Sequence, residues 1–294
     1  MARFGSSGGA GTQLLDAELS GLDQLDMAVP PRPSRVARVW AAAWPKLAAV
    51  ALALLIWQLV VWSGWKHEYA LPGPRKVFDA FFDNFGNNMS AAGTTLWRGF
   101  RGFLFALVIG TTIGALVARV RVLRAAFGSM ITGLQTMPSV AWFPLAILLF
   151  RLGEGTIFFV VVLGAAPSIA NGLISGIDHI PPILLRSGRV LGARGLTAFR
   201  HVILPAALPS FVAGLKQGWA FAWRSLLAGE LIVTISGKYS LGQQLDANRQ
   251  LNDSAGVMAV MIVILVIGIL VDAFVFGAAE RAIRRRYGLV DTAT

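Results

Sequence analysis

The sequence predicts an all-α polytopic membrane protein with six transmembrane helices. Two observations carry that reading. Of 294 residues, 55% are hydrophobic and 14% charged, with a mean hydropathy of +0.65, whereas soluble domains carry about 25% charged residues. The apolar residues also gather in runs of about 20, the length that crosses the hydrocarbon of a bilayer as helix. Cysteine is absent, so the chain has no disulfide framework, thiolate metal site or cysteine nucleophile.

Residues 1–45 read as a largely flexible tail. Gly5 to Thr12 is a Gly/Ser-rich stretch that cannot bury a core. Leu15, Leu19 and Leu22 recur at i, i+4 and i+7, which allows a short amphipathic helix. Asp16, Glu18, Asp23 and Asp26 precede any apolar run, so no cleaved signal peptide is expected. Arg32, Arg35 and Arg38 form a basic collar before the membrane.

Residues 46–294 read as the transmembrane domain, with spans over 47–63, 99–118, 129–150, 156–175, 207–234 and 257–277. Trp62 and Trp65 would anchor the first span at an interface. Pro138 and Pro144 interrupt the hydrogen-bond ladder of the third, giving either a bent helix at a gate or a kinked packing helix. Gly110 and Gly114, like Gly172 and Gly176, permit close helix approach, as a dimer seam would need. Placing both termini in the cytoplasm gives a two-to-one excess of Lys and Arg on that side, as the positive-inside rule requires. The net charge of +11 is then explained by anionic lipid, not nucleic acid.

On this topology the segment 178–206 is cytoplasmic. Asp178, Pro181 and Pro182 suit the first turn of a helix. Leu184, Gly188 and Leu191 share one face. Gly192 sits where the helix would end with positive φ. A second short helix, Leu196 to Ile203, is expected to stop before Pro205. Ser187 and Gly188 let another surface come close, and Arg186, Arg189 and Arg194 flank them. Such a helix suits a groove on a soluble partner.

In the fifth span Lys216, Arg224 and Glu230 read as the ionisable groups inside hydrocarbon, where such groups usually face a cavity or the bundle interior. Trp219, Trp223 and Glu230 fall within about 40° of one another, and Arg224 lies about 100° from Trp223. That face would line a solute path, with Arg224 offering its guanidinium to an anion. Gln135 and Pro138 of the third span would join it. The same residues would equally serve as packing groups and interhelical ion pairs. No GxxxxGK[ST] loop is present, so ATP is not held here. His67, His179 and His201 are scattered, and no catalytic constellation or metal cluster is expected. The chain reads as a transport subunit, not an enzyme. An ion-coupled secondary transporter or channel is the alternative; it should show repeats or several intramembrane carboxylates. An intramembrane enzyme would need a nucleophile–base pair.

Gly192, followed after nine residues by Val202-Ile203-Leu204-Pro205, resembles the signature loop of ABC-importer permeases. The pattern is an acidic-Ala-Ala triplet, three residues, Gly, nine residues, Ile, one residue, Leu-Pro. The chain departs from it at the triplet, which is Arg186-Ser187-Gly188. Thr95–Phe100, Pro138–Pro144, Gly153-Glu154, Ala228-Gly229-Glu230, Leu241-Gly242 and the ending Glu280-Arg281 with Arg284–Tyr287 are similar to the sulfonate/nitrate/taurine subgroup. The resemblance covers roughly residues 90–286. It implies a type I importer fold, both termini cytoplasmic, in a bacterial inner membrane. It implies a homodimer with a second permease copy, an ATPase dimer that binds ATP and Mg, and an extracytoplasmic solute-binding protein, with no cofactor on this chain. ATPase coupling would use Arg186, Ser187, Gly188, Arg189, Leu191, Gly192, Ala193, Arg194, Leu204 and Pro205. The cargo would be a small anion, aliphatic sulfonate first, with nitrate, taurine or bicarbonate as others.

Overall fold

The computed structural model describes residues 34–235, Gly237 and 239–287. The stretches Gly5–Thr12 and Leu15–Leu22 lie outside them. The described residues up to Leu59 belong to one compact unit and those from Val60 to a second. Every regular element among the described residues is a helix.

Helix α1 spans Arg35–Trp62. It starts inside the stretch assigned to the tail, because the Ser34 hydroxyl accepts the Ala37 N–H at 3.2 Å. That is a helix N-cap, and the alanines that follow favour helix.

In the second unit α2 is Pro74–Asp83 and α3 is Phe85–Arg119. α3 begins 14 residues before the apolar run at 99. Its buried positions, Asn88, Ala91, Ala92, Thr95, Arg98, Gly99, Gly102, Ala106, Gly110, Gly114 and Val117, follow the three-to-four spacing of one helix face. That face is mostly small, so hydropathy alone misses its first four turns.

The third span is broken. α4 (Arg121–Thr136) ends at Met137, which is extended, and a 3₁₀ turn (Ser139–Trp142) leads into α5 (Phe143–Phe150). The two parts meet at 105°. Pro138 drives the residue before it out of helical geometry. Pro144 does not kink a helix; it sits in the first turn of α5, where its missing N–H is not needed.

α6 (Glu154–Asp178) is the centre of the bundle, packed between α3 and α9 (Leu204–Ile232). A Cβ on Gly110 would lie 2.6 Å from the Ala166 carbonyl, one on Gly172 2.6 Å from the Gly214 Cα, and one on Gly176 2.7 Å from the Ala207 carbonyl. These glycines therefore seat α3 and α9 against α6 within one chain, and are not free for a dimer seam.

α7 (Pro182–Val190) and the short α8 (Gly195–Ala198) lead through a π-turn, Phe199–Ile203, directly into α9. The expected stop before Pro205 does not occur. The Leu204 N–H bonds back five residues to Phe199 O, so the widened turn carries the helix past a proline with no N–H to give. α10 (Leu241–Gln250), α11 (Ser254–Val271), a π-turn (Asp272–Phe276) and α12 (Gly277–Arg286) complete the fold. Among the described residues five helices are long and apolar enough to span a membrane, and six if the bent pair is one span.

Candidate functional site

α7 begins with Pro182 in its first turn, after an extended Pro181. Asp178 does not cap it. Asp178 is the last residue of α6 and pairs with Arg124 of α4. At the other end Gly192 has φ +82°. The Gly192 N–H bonds Arg189 O at 3.1 Å and the Ala193 N–H bonds Gly188 O at 2.9 Å. This pair of reversed bonds is the Schellman ending that glycine permits. A Cβ on Gly192 would touch nothing, so only the backbone demands glycine there.

Gly188 is buried, and a Cβ on it would lie 2.9 Å from a Val202 methyl. Its smallness admits this chain's own Val202, which locks α7 onto the π-turn at the head of α9. It is not free for a partner surface, whereas Ser187 remains exposed. Leu191 lies past the helix end and leaves the face shared by Leu184 and Gly188. Val190 and Leu191 are 87% and 86% exposed, with Ile183 and Leu196 also open. Arg186, Arg189 and Arg194 are exposed around them. An apolar ridge rimmed by guanidinium groups is a surface that water covers poorly.

A cleft of about 330 Å³ opens at the break in the third span. Gln135, Thr136, Pro138 and Ser139 line it from the break, Gly164 from α6, and Phe221 and Arg224 from α9. Arg224 is exposed, its Nε donates to Ala220 O at 3.1 Å, and its guanidinium lies 4.8 Å from the Phe221 ring. The Gln135 amide donates to Ser168 Oγ at 3.3 Å. Three residues placed on a path by sequence, Gln135, Pro138 and Arg224, thus share one cavity.

Trp219, Trp223 and Glu230 do not join them. They share a stripe of α9, as their spacing requires, but it faces the core. The two indoles stack with centroids 6.1 Å apart, and Trp219 meets Phe103 of α3 edge-on at 5.4 Å. Glu230 is 1% exposed. Its carboxylate accepts from Arg98 Nη1 at 2.5 Å, from Thr95 Oγ1 at 2.9 Å and from the Gly242 N–H at 3.2 Å. Thr95 Oγ1 in turn accepts the Leu241 N–H at 2.9 Å. The first two N–H groups of α10 are therefore capped by buried side chains of α3 and α9. Arg98 and Glu230 thus face each other in the interior, out of reach of water, each supplying hydrogen bonds the other would otherwise lack.

Arg98 is the buried partner the sequence reading missed, because it lies one residue before the span expected over 99–118 and inside α3. It is 1% exposed, and Arg98 Nη2 also lies 3.8 Å from Glu154. The stripe of small residues running back from Gly110 to Ala91 could have revealed it. Lys216 is ion-paired too, 3.3 Å from Asp272 and 3.7 Å from Glu280. On α10 the Arg249 guanidinium, with help from Gln250, holds the Asp246 carboxyl below its ordinary range.

Residues 107–285 match the family model described as binding-protein-dependent transport system inner membrane component. The chain is 29% identical over 242 residues to the bicarbonate transport system permease protein CmpB of Synechococcus elongatus, covering 78% of this chain and 85% of that protein. It is 29% identical over 235 residues to SsuC of Bacillus subtilis, a permease named for aliphatic sulfonates, covering 79% and 84%. The fold matches the MetNI methionine ABC transporter solved in inward-facing conformations, at TM-score 0.57 and 20% identity, over 69% of this chain and 97% of that one. This chain belongs to the family of binding-protein-dependent transport system inner membrane components and is a multi-pass permease subunit of an ABC importer.

Proposed function

We propose that the permease passes a small oxyanion, aliphatic sulfonate first and bicarbonate or nitrate next, through the cleft at Arg224. The observation that carries this is the shared cavity of Arg224, Gln135 and the broken backbone at 136–139. A planar guanidinium offers two parallel N–H donors to an oxyanion, and an interrupted helix leaves backbone groups open beside it. Relatives named for bicarbonate and aliphatic sulfonates support an oxyanion. The cargo would enter across a bacterial plasma membrane, with both termini cytoplasmic and a second copy of the chain as homodimer partner. An extracytoplasmic binding protein would deliver it.

Energy would come from a separate ATPase dimer that holds ATP and Mg and docks on the exposed ridge of α7. ATP binding closes that dimer and moves α7. The Gly188–Val202 contact carries the movement into the head of α9, and Arg224 lies further along the same helix. The spans then switch from inward- to outward-facing, and hydrolysis resets them. The direct test is ATPase activity of the reconstituted complex against a panel of sulfonates, taurine, nitrate and bicarbonate. Stimulation by none of them, in a complex that assembles, would remove the oxyanion assignment.

Two variants separate the roles. Arg224→Gln is expected to lower uptake at low solute about tenfold or more, the worth of a charged hydrogen bond, with basal hydrolysis unchanged. Normal uptake would return Arg224 to a packing role. Gly192→Val forces a β-branched residue into left-handed backbone, a strain of about 1–2 kcal/mol or more. It is expected to cut uptake per ATP hydrolysed about tenfold while the membrane domain stays folded, as its thermal unfolding would report. An unchanged ratio would sink the coupling role.

A further inference from the structure

α9 carries two prolines four residues apart, Pro205 and Pro209. In an α-helix the Pro205 carbonyl would accept from the N–H of residue 209, and proline has none. Pro205 itself has no N–H for His201. The head of α9, already widened by the π-turn, is therefore short of two successive ladder bonds.

The Pro205 oxygen is nevertheless bonded. Tyr287, the residue just past α12, donates its hydroxyl to it at 2.6 Å. A side chain 82 positions away supplies the bond that Pro209 withholds. Further along α9, Lys216 lies 3.3 Å from Asp272 and 3.7 Å from Glu280. Asp272 opens the π-turn of the last span and Glu280 lies in α12. The final segment thus touches α9 at its head, just past the π-turn, and again about three turns on.

We infer that Tyr287 is a positioning residue of the coupling segment, fastening α12 to the head of α9 so that α7, this head and α12 move as one body. The inference rests on the coupling role proposed above for α7. A push on α7 arrives through Val202 at a turn with few internal bonds. Without the tyrosine hydroxyl that turn bends and dissipates the movement. With it, the load is shared with α12 and reaches the last span through Lys216.

The experiment compares the wild-type complex and Tyr287→Phe, each assembled with its ATPase and binding protein in liposomes, and reads solute taken up per ATP hydrolysed. Tyr287→Phe keeps the ring and loses only the donor. It is expected to lower the ratio about fivefold, the factor that one ordinary hydrogen bond sets, with the amount of complex and basal hydrolysis unchanged. Adding Pro209→Ala restores an N–H opposite the Pro205 carbonyl but not the tie to α12, and is expected to leave the ratio low. A merely structural tyrosine would change the yield of complex and leave the ratio alone. An unchanged ratio in Tyr287→Phe, or a loss that Pro209→Ala repairs in full, overturns the inference. A wild-type complex whose hydrolysis ignores every solute, and in which Gly192→Val couples as the wild type does, would instead sink the coupling role, and the tyrosine's part with it.

Discussion

Arg98→Met is expected to destabilise the permease by about 3–5 kcal/mol, because it leaves the buried Glu230 carboxyl without its guanidinium partner. The carboxylate would keep Thr95 and the Gly242 N–H but lose the guanidinium at 2.5 Å. The double variant Arg98→Met/Glu230→Gln removes both charges and keeps an amide oxygen for Gly242. It is expected to be more stable than Arg98→Met alone, a non-additivity that marks direct coupling. Thermal unfolding of the purified protein in detergent, followed by size-exclusion fluorescence, measures both. Equal melting of wild type and Arg98→Met would show that the pair does not hold the bundle. A double variant less stable than either single one would show that the two groups act independently.

Gly214→Val carries the second large effect. Gly172 and Gly214 bring the backbones of α6 and α9 into direct contact, and a Cβ on Gly214 would lie 2.7 Å from the Gly172 Cα. Neither backbone atom can swing aside as a side chain would. The helices must separate, at a cost of about 1–3 kcal/mol for the first methyl and more for a branched group. Because α6 also packs on α3 through Gly110 and Gly114, the displacement spreads to a second seam. Gly214→Ala is expected to be intermediate. A crossing that tolerates valine with no loss of melting temperature would contradict direct backbone contact between α6 and α9.

The sequence made the helical membrane fold legible because its signal is coarse: apolar runs of span length separated by charged segments. It also placed Gly192 correctly, since a positive φ at a helix end is a local demand that glycine alone meets freely. The glycine-proline frame of the 178–206 segment was equally local. What stayed hidden was which way each face turned. Helical spacing grouped Trp219, Trp223 and Glu230 correctly and set Arg224 apart, yet nothing within α9 says which stripe meets α3 and which meets the cleft. Glu230 finds Thr95 and Arg98 more than 130 residues away, a pairing no local pattern encodes. Arg98 was misplaced because hydropathy weighs a small-residue stripe lightly, although that stripe packs as closely as any in the bundle. Gly188 was assigned to a partner because a small exposed-looking residue suggests approach from outside; Val202 of the same chain takes the space.

The capping of α10 by Thr95 and Glu230 has a consequence for the time scales of motion. Most short connecting helices fray in nanoseconds to microseconds, independently of the bundle they join. α10 cannot release its first two N–H groups without taking a donor from the buried oxygens of Thr95 and Glu230. Its fluctuations are therefore tied to those of α3 and α9, and slow to the rate at which the bundle itself rearranges. Any partner that meets α10 meets a surface that changes only when the transport helices do, so the position of α10 reports the state of the bundle instead of drifting on its own.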